Sequence, residues 1–350
     1  MLEQNVVGPS TARPSTARPS TVAVIGDTPL WPIRVPVGDR TVRLWLKLES
    51  ANPFGSIKAR TADALLATLE ATGELRPGRR VVESTSGNLG VALAGLCAAR
   101  GYRCTLVVEP STPMTSIERM TAYGADVVTV SDVPGGRTLD ARLRVVREIL
   151  EQDSGSVWTN QYESPANPGV HEDQTAAELA KAAPPGGFDA VAVSVSTGGT
   201  LAGVARYFRD NQPRTRIVAV DAVGSAALGG APADRPHKLA GFGSARASTF
   251  LHSGLWDHVV RLRDADAVAA CAAVLERTGM SLGGSAGATV LAATVRAALD
   301  PGLRELACVC PDSGEKYAQL RQATPAGDPP DERIAAALDA LGRAEDEGAA

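Results

Sequence analysis

From Arg80 to Cys310, short Val/Ile/Leu/Ala runs alternate with longer segments whose apolar residues recur at helical spacing. Most of these run-to-helix junctions are loops rich in Gly, Ser, Thr or Asn. A strand that is followed by a helix and then by a further strand of the same sheet pairs in parallel, through a right-handed crossover. The alternation therefore confines the chain to the α/β class, and 350 residues are enough for two lobes, each a mainly parallel sheet with flanking helices.

The pattern predicts a strand over Thr41 to Leu48, a helix over Ile57 to Leu69, and a strand over Arg80 to Glu83. A helix over Leu89 to Arg100, stopped by Gly101, completes the first strand–loop–helix unit. Further units follow at Cys104 to Tyr123 and Asp126 to Gln152, and the alternation resumes at Ala190 and Ile217 and ends on a strand over Leu306 to Cys310. Residues 1–21 hold a tandem Ser-Thr-Ala-Arg-Pro repeat with no means of building a core, and are expected to be a disordered tail. The smaller lobe is expected over 41–160, the larger over 22–40 and 161–322, and a C-terminal tail over 323–350, within which Glu332 to Arg343 has a helical pattern.

Net charge of −4 provides no basic footprint, and aromatics at 4% leave little to stack on bases, so nucleic-acid binding is excluded. No apolar run reaches membrane-spanning length and the N-terminus lacks a basic-then-apolar leader, which implies a cytoplasmic protein. The five cysteines lie in apolar helix or strand patterns, and Cys308-Val309-Cys310 lacks a second ligand pair, so neither a disulfide framework nor a metal site is expected.

Lys58 follows the turn Asn52-Pro53-Phe54-Gly55-Ser56 and opens a helical pattern. A cation is disfavoured at that end of a helix dipole, so this amine either reaches solvent or is held neutral, or as an imine, in a pocket. Three loops at helix starts bear on the choice. Ser196-Thr197-Gly198-Gly199-Thr200 presents backbone N–H groups and hydroxyls suited to a phosphate, without the spacing of a Walker loop or a dinucleotide fingerprint. Ser84-Thr85-Ser86-Gly87-Asn88 suits a carboxylate; alone it reads equally well as an N-cap. In Gly283-Gly284-Ser285-Ala286-Gly287, Ser285 either caps its helix or faces a ring nitrogen. Gln161, with an Asn-Pro turn behind it, is a fourth polar element. An amine, a phosphate cradle, a carboxylate cradle and a neutral hydroxyl together describe a pyridoxal 5'-phosphate site, although each member alone has a blander reading.

From about Thr28 to Gln322 the chain resembles the cysteine synthase / cystathionine β-synthase family of fold-type II pyridoxal phosphate enzymes. The resemblance is carried by Asn52 to Lys58, Thr85 to Asn88, Gln161 to Pro168, Ser196 to Thr200, Gly283 to Gly287 and Pro311-Asp312-Ser313-Gly314-Glu315-Lys316-Tyr317. It implies that Lys58 forms the internal aldimine and shuttles the Cα proton, and that Asn88 meets the ring hydroxyl. By the same resemblance Ser196, Thr197, Gly198, Gly199 and Thr200 hold the phosphate, Ser285 faces the ring nitrogen, and Thr85, Ser86, Gly87 and Gln161 bind the amino-acid carboxylate. The implied reaction is β-replacement on an activated L-serine through an aminoacrylate, in a homodimer acting on small amino acids.

Within the family, Pro134 to Leu139, Val157 to Tyr162, Asp221 to Ser225 and Gly241 to Arg246 resemble a side branch. Its members include the siderophore-pathway synthase that joins O-phosphoserine to glutamate on the way to 2,3-diaminopropionate. A phosphorylated donor calls for an added cation, for which Arg246 is the first candidate, ahead of Arg235 and Lys238. None of the four histidines has a partner arrangement visible in sequence, and no chemistry is assigned to them. Two other classes stay open: a serine/threonine dehydratase-type lyase, which would release pyruvate and ammonia, and a cofactor-less binding protein, which would lack absorbance near about 410 nm.

Overall fold

The computed structural model describes residues 24–85, 87–131, 138–230, 239, 241–317 and 330–347. The expected N-terminal tail, Ser86, Arg235, Lys238 and the boundary at 322 lie outside the described residues.

Two sheets organise the chain. The smaller has the order β5(Asp126–Thr129), β4(Arg103–Val108), β3(Arg80–Ser84), β6(Ser156–Trp158), all parallel. The larger has seven strands in the order β11(Glu345–Asp346), β1(Leu30–Val37), β2(Arg40–Leu48), β10(Glu305–Cys310), β7(Ala190–Ser194), β8(Arg216–Ala222), β9(His258–Leu262). From β2 to β9 its pairs are parallel, while β1 pairs antiparallel with both β2 and β11. The α/β class and the two mainly parallel sheets are as the alternation predicts.

Helices α1(Lys58–Ala71), α2(Asn88–Arg100), α3(Met114–Ala122) and α4(Thr138–Gln152) belong to the smaller sheet's half. The larger half carries α5(Ala166–Val170), α6(Ala177–Lys181), α7(Gly199–Asn211), α8(Asp264–Thr278), α9(Gly284–Leu299) and α10(Glu332–Leu341). Between α5 and α6, His171–Ala176 winds as a π-helical turn.

The expected lobe limits need two corrections. β2 lies inside the seven-stranded sheet, paired with β10 from Arg43↔Glu305 to Leu48↔Cys310, so 41–48 belongs to the larger lobe. The cause is two-sided burial: Val42, Leu44 and Leu46 enter one core while Trp45 packs against the core on the other face. The C-terminal segment is also more than a tail. Ala337, Ala340 and Leu341 of α10 are buried in the core that holds α8 and α9, and β11 covers the edge of β1. The mixed sequence of β1, with Pro32 and Pro36, gave no strand signal; prolines fit a strand next to a sheet's edge.

The start of α1 is held from three directions. Phe54 adopts φ 68° and its ring lies where a Cβ on Gly95 of α2 would stand, 2.2 Å from Phe54 Cε1. Ile57 N donates to Pro311 O at 2.8 Å, and Ser56 bridges Asp312, fastening the turn to the end of β10. Arg60, fully buried, donates to Glu49 through Nε (2.8 Å) and Nη2 (2.9 Å), and to Glu178 of α6 through Nη1 (2.6 Å) and Nη2 (2.7 Å). Lys47 Nζ adds a 2.6 Å contact to Glu178. Removing one partner from such a buried network strands the others, which makes it a rigid foot for the helix.

Candidate active site

The carboxyl ends of β3, β7 and β10 open onto a cleft. This is where parallel α/β sheets place ligands. Lys58 lines it at the first position of α1, with Ser56 Oγ accepting from its backbone N at 3.3 Å. Burial lowers the Lys58 ammonium from the ordinary 10.5 to about 8, against the opposing attraction of the Glu83 carboxylate. The amine is therefore the desolvated kind, not the solvated one.

Facing it, β7 runs into Ser196, Thr197 and Gly198, which line the cleft together with Thr200 on the first turn of α7. Gly198 sits at φ 89°, and a Cβ there would fall 2.2 Å from Ser248 Oγ. A Cβ on Gly199 would fall 2.2 Å from Asn167 Oδ1. Only glycines fit these two close approaches, which lie at the N-terminus of α7, an end of a helix suited to an anion. Asn167 Nδ2 donates to Thr197 Oγ1 (3.2 Å) and Gln161 O (2.8 Å), and Ser248 Oγ donates to Thr197 O (2.6 Å).

On the smaller sheet's side, Thr85 Oγ1 accepts from Gly87 N (3.2 Å) and Gly90 N (3.0 Å), so it caps α2 while lining the cleft. The capping reading of that loop is therefore met, through Thr85. Asn88 lines the cleft and donates through Nδ2 to Asp312 Oδ2 at 2.7 Å, and Ser285 lines it from the start of α9. Buried Gln161 lines it too, its Nε2 donating to Ser84 O at 2.8 Å. Among the described lining residues there is no carboxylate, and Ser285 is one of the hydroxyls that line the cleft.

Arg246 is not in that lining. Its guanidinium stands 5.5 Å from the Tyr162 ring centre and 3.9 Å from Glu163, with Tyr162 itself in the cleft wall. Gly199 also stays out of the lining, one residue along from Gly198.

Four residues emerge that sequence reasoning passed over. Arg142 of α4 is buried, reaches Glu109 at 3.6 Å through Nη2, and leaves Nε and Nη1 without a hydrogen-bond partner among the described residues. Burial raises the Tyr162 phenol, and the charge of Arg142 opposes that rise, although Arg142 is not among the residues that line the cleft. His171 is fully buried, its Nε2 paired with Thr61 Oγ1 (3.2 Å) and Thr200 Oγ1 (3.3 Å) and its Nδ1 with Thr175 Oγ1 (3.0 Å). Burial, then the Lys58 and Arg60 charges, hold it well below 6.5, so it is a neutral brace behind Thr200. Glu83 and Asp312 complete the set; Asp312 sits in the recognised Pro311 to Tyr317 motif, but nothing local marked its side chain as a partner of Asn88.

The sequence profile described as pyridoxal-phosphate dependent enzyme matches residues 22–314. The chain belongs to that family. Its cofactor is pyridoxal phosphate, and the cleft fits it: a desolvated lysine, a glycine-only cradle at a helix N-terminus and a hydroxyl in place of a carboxylate. Among relatives of this pyridoxal-phosphate dependent enzyme, the N-(2-amino-2-carboxyethyl)-L-glutamate synthase of Ralstonia nicotianae is 39% identical over 298 residues, covering 85% of this chain and 87% of that protein. The cysteine synthase of Staphylococcus aureus is 34% identical over 295 residues, covering 84% and 93%. The crystal structure of O-ureido-L-serine synthase superposes with a TM-score of 0.80 at 30% identity, covering 91% of this chain and 98% of that one.

Proposed function

We propose that this enzyme carries out β-replacement on an activated L-serine, with O-phosphoserine as donor and glutamate as the amine acceptor. The observation that carries the choice of donor is buried Arg142, a cation with two nitrogens that have no hydrogen-bond partner among the described residues and whose charge acts on Tyr162 of the cleft wall. A buried guanidinium lacking its full set of acceptors suits an incoming phosphate or carboxylate. The Ralstonia relative's name, which joins an aminocarboxyethyl group to glutamate, supports glutamate as the acceptor.

When bound, pyridoxal phosphate supplies an electron sink for carbanionic charge at Cα. Lys58 holds the cofactor through Nζ and, with its ammonium lowered to about 8, takes and returns the Cα proton near neutral pH. Ser196, Thr197, Gly198, Gly199 and Thr200 hold the phosphate, Asn88 orients the ring from its Asp312 contact, and Ser285 meets the ring nitrogen without protonating it. Thr85, Gly87 and Gln161, with Ser86, receive the substrate carboxylate, while Arg142 and, from the rim, Arg246 draw the phosphate leaving group.

The purified holoenzyme is mixed with O-phosphoserine or O-acetylserine, then with glutamate or sulfide, and products are read by mass spectrometry. The expected product is the glutamate adduct from O-phosphoserine. Cysteine from O-acetylserine and sulfide would instead favour the reading that the Staphylococcus relative represents, and pyruvate with ammonia and no adduct would mean a lyase. Arg142→Ala and Arg246→Ala are each expected to cut kcat/KM with O-phosphoserine by about tenfold and to spare O-acetylserine; equal losses with both donors overturn the phosphate assignment. A cytoplasmic setting is part of this reading; no helix among the described residues is long and apolar enough to cross a membrane.

A further inference from the structure

Glu83 is the last residue but one of β3, is fully buried, and takes no part in the chemistry above. Its Oε1 accepts from Ser84 N at 2.7 Å and Trp158 Nε1 at 3.2 Å. Its Oε2 accepts from Thr159 Oγ1 at 2.6 Å and Gln161 N at 3.0 Å. Two of these donors are backbone amides of the segments that present Thr85 and Gln161 to the cleft. Between Thr159 and Gln161 the chain passes through Asn160 at φ 46°, a left-handed conformation that a non-glycine residue keeps only when its surroundings impose it. The connection continues: Gln161 O accepts from Asn167 Nδ2, and the same amide donates to Thr197 Oγ1 in the 196–200 loop.

We infer that Glu83 is a positioning residue, the anchor that sets the 84–88 loop, the Gln161 turn and, through Asn167, the 196–200 loop in mutual register for the amino-acid substrate. This rests on the proposed reaction for its consequence, because the register matters to a substrate carboxylate held between Thr85 and Gln161. The chemistry of the site leaves no substitute. Both backbone N–H groups and the indole N–H can only donate, so a neutral amide at position 83 turns its own N–H groups against at least one of them. Either the amide of Ser84 or that of Gln161 would then be left short of a buried acceptor, and the link between the two segments would be broken on one side.

Glu83→Gln and Thr159→Val, made in the full chain and loaded with cofactor, test the inference. The expected result is a donor KM raised about tenfold in Glu83→Gln and about threefold in Thr159→Val, with kcat within about twofold and cofactor absorbance per chain unchanged. A lowered melting temperature with an unaltered KM would make Glu83 a stabilising carboxylate only, and would overturn the inference. If Glu83→Gln does not fold, Thr159→Val decides it alone by the same KM criterion. Amide exchange over 159–161 and 196–200, measured on the holoenzymes without any amino acid, separates this inference from the proposed reaction. Faster exchange in both segments supports the anchor, and wild-type exchange at 196–200 overturns it, even where no activated serine reacts.

Discussion

Lys58 joins two requirements that pull apart in most proteins: an amine must be neutral enough to act as a base, yet it must stay in a folded interior. Its lowered value of about 8 comes first from burial, with Glu83 acting in the opposite direction. The linkage follows. Between about pH 8 and 10.5 the unfolded chain keeps a proton on this side chain that the folded apoprotein has released, so folding becomes more favourable as pH rises through that window. Melting temperatures of the apoprotein and of Lys58→Met, compared at pH 7.5 and about 10, should show a gain of a few degrees in the former relative to the latter. Identical pH dependence would mean the amine is solvated. Lys58→Met should also abolish turnover in the holoenzyme while leaving the fold intact.

At the scale of elements, the chain closes on itself. Trp31 Nε1 donates to Asp346 Oδ1 at 2.6 Å, Arg43 Nε meets Glu347 at 2.8 Å, and α10 fills a face of the core shared by α8 and α9. Deleting everything after residue 329 bares Trp31, the edge of β1 and the apolar flank of α9. The melting temperature should fall by about 5 °C or more, and an unchanged value would show that α10 and β11 contribute nothing to the body. Helix and strand existence was legible wherever periodicity was strong: α2 starts and stops within a residue of the pattern. The failures share a cause. β1 and β9 have mixed patterns near the edges of the sheet, and the 166–181 helical segment opens on an Asn-Pro pair that locally says turn. Each is decided by tertiary packing rather than by local preference.

For the whole molecule, the cleft residues that sequence reasoning found are those announced by turn chemistry: Lys58, Thr85, Gly87, Asn88, Gln161, the 196–200 loop and Ser285. Those it missed work through distant partners. Glu83 meets Thr159 and Gln161 across strands, Asn88 reaches Asp312, and Arg142 is notable for the acceptors it lacks. No window of neighbouring residues contains that information. The family resemblance implies two copies per particle, and light scattering on the holoenzyme should return twice the 36.1 kDa of one chain; a single-chain mass would refute it.

The pairing of β2 with β10 bears on how such a chain is made. The four strands of the smaller sheet all lie between Arg80 and Trp158 and can find one another early in synthesis, whereas β2 waits for a partner some 260 residues later. Ile57 leans on Pro311, so the lysine's surroundings are finished among the last parts of the fold. A ribosome-bound fragment lacking β10 would carry every strand of the smaller sheet but neither the Pro311 nor the Asp312 contact that fastens the turn before the lysine.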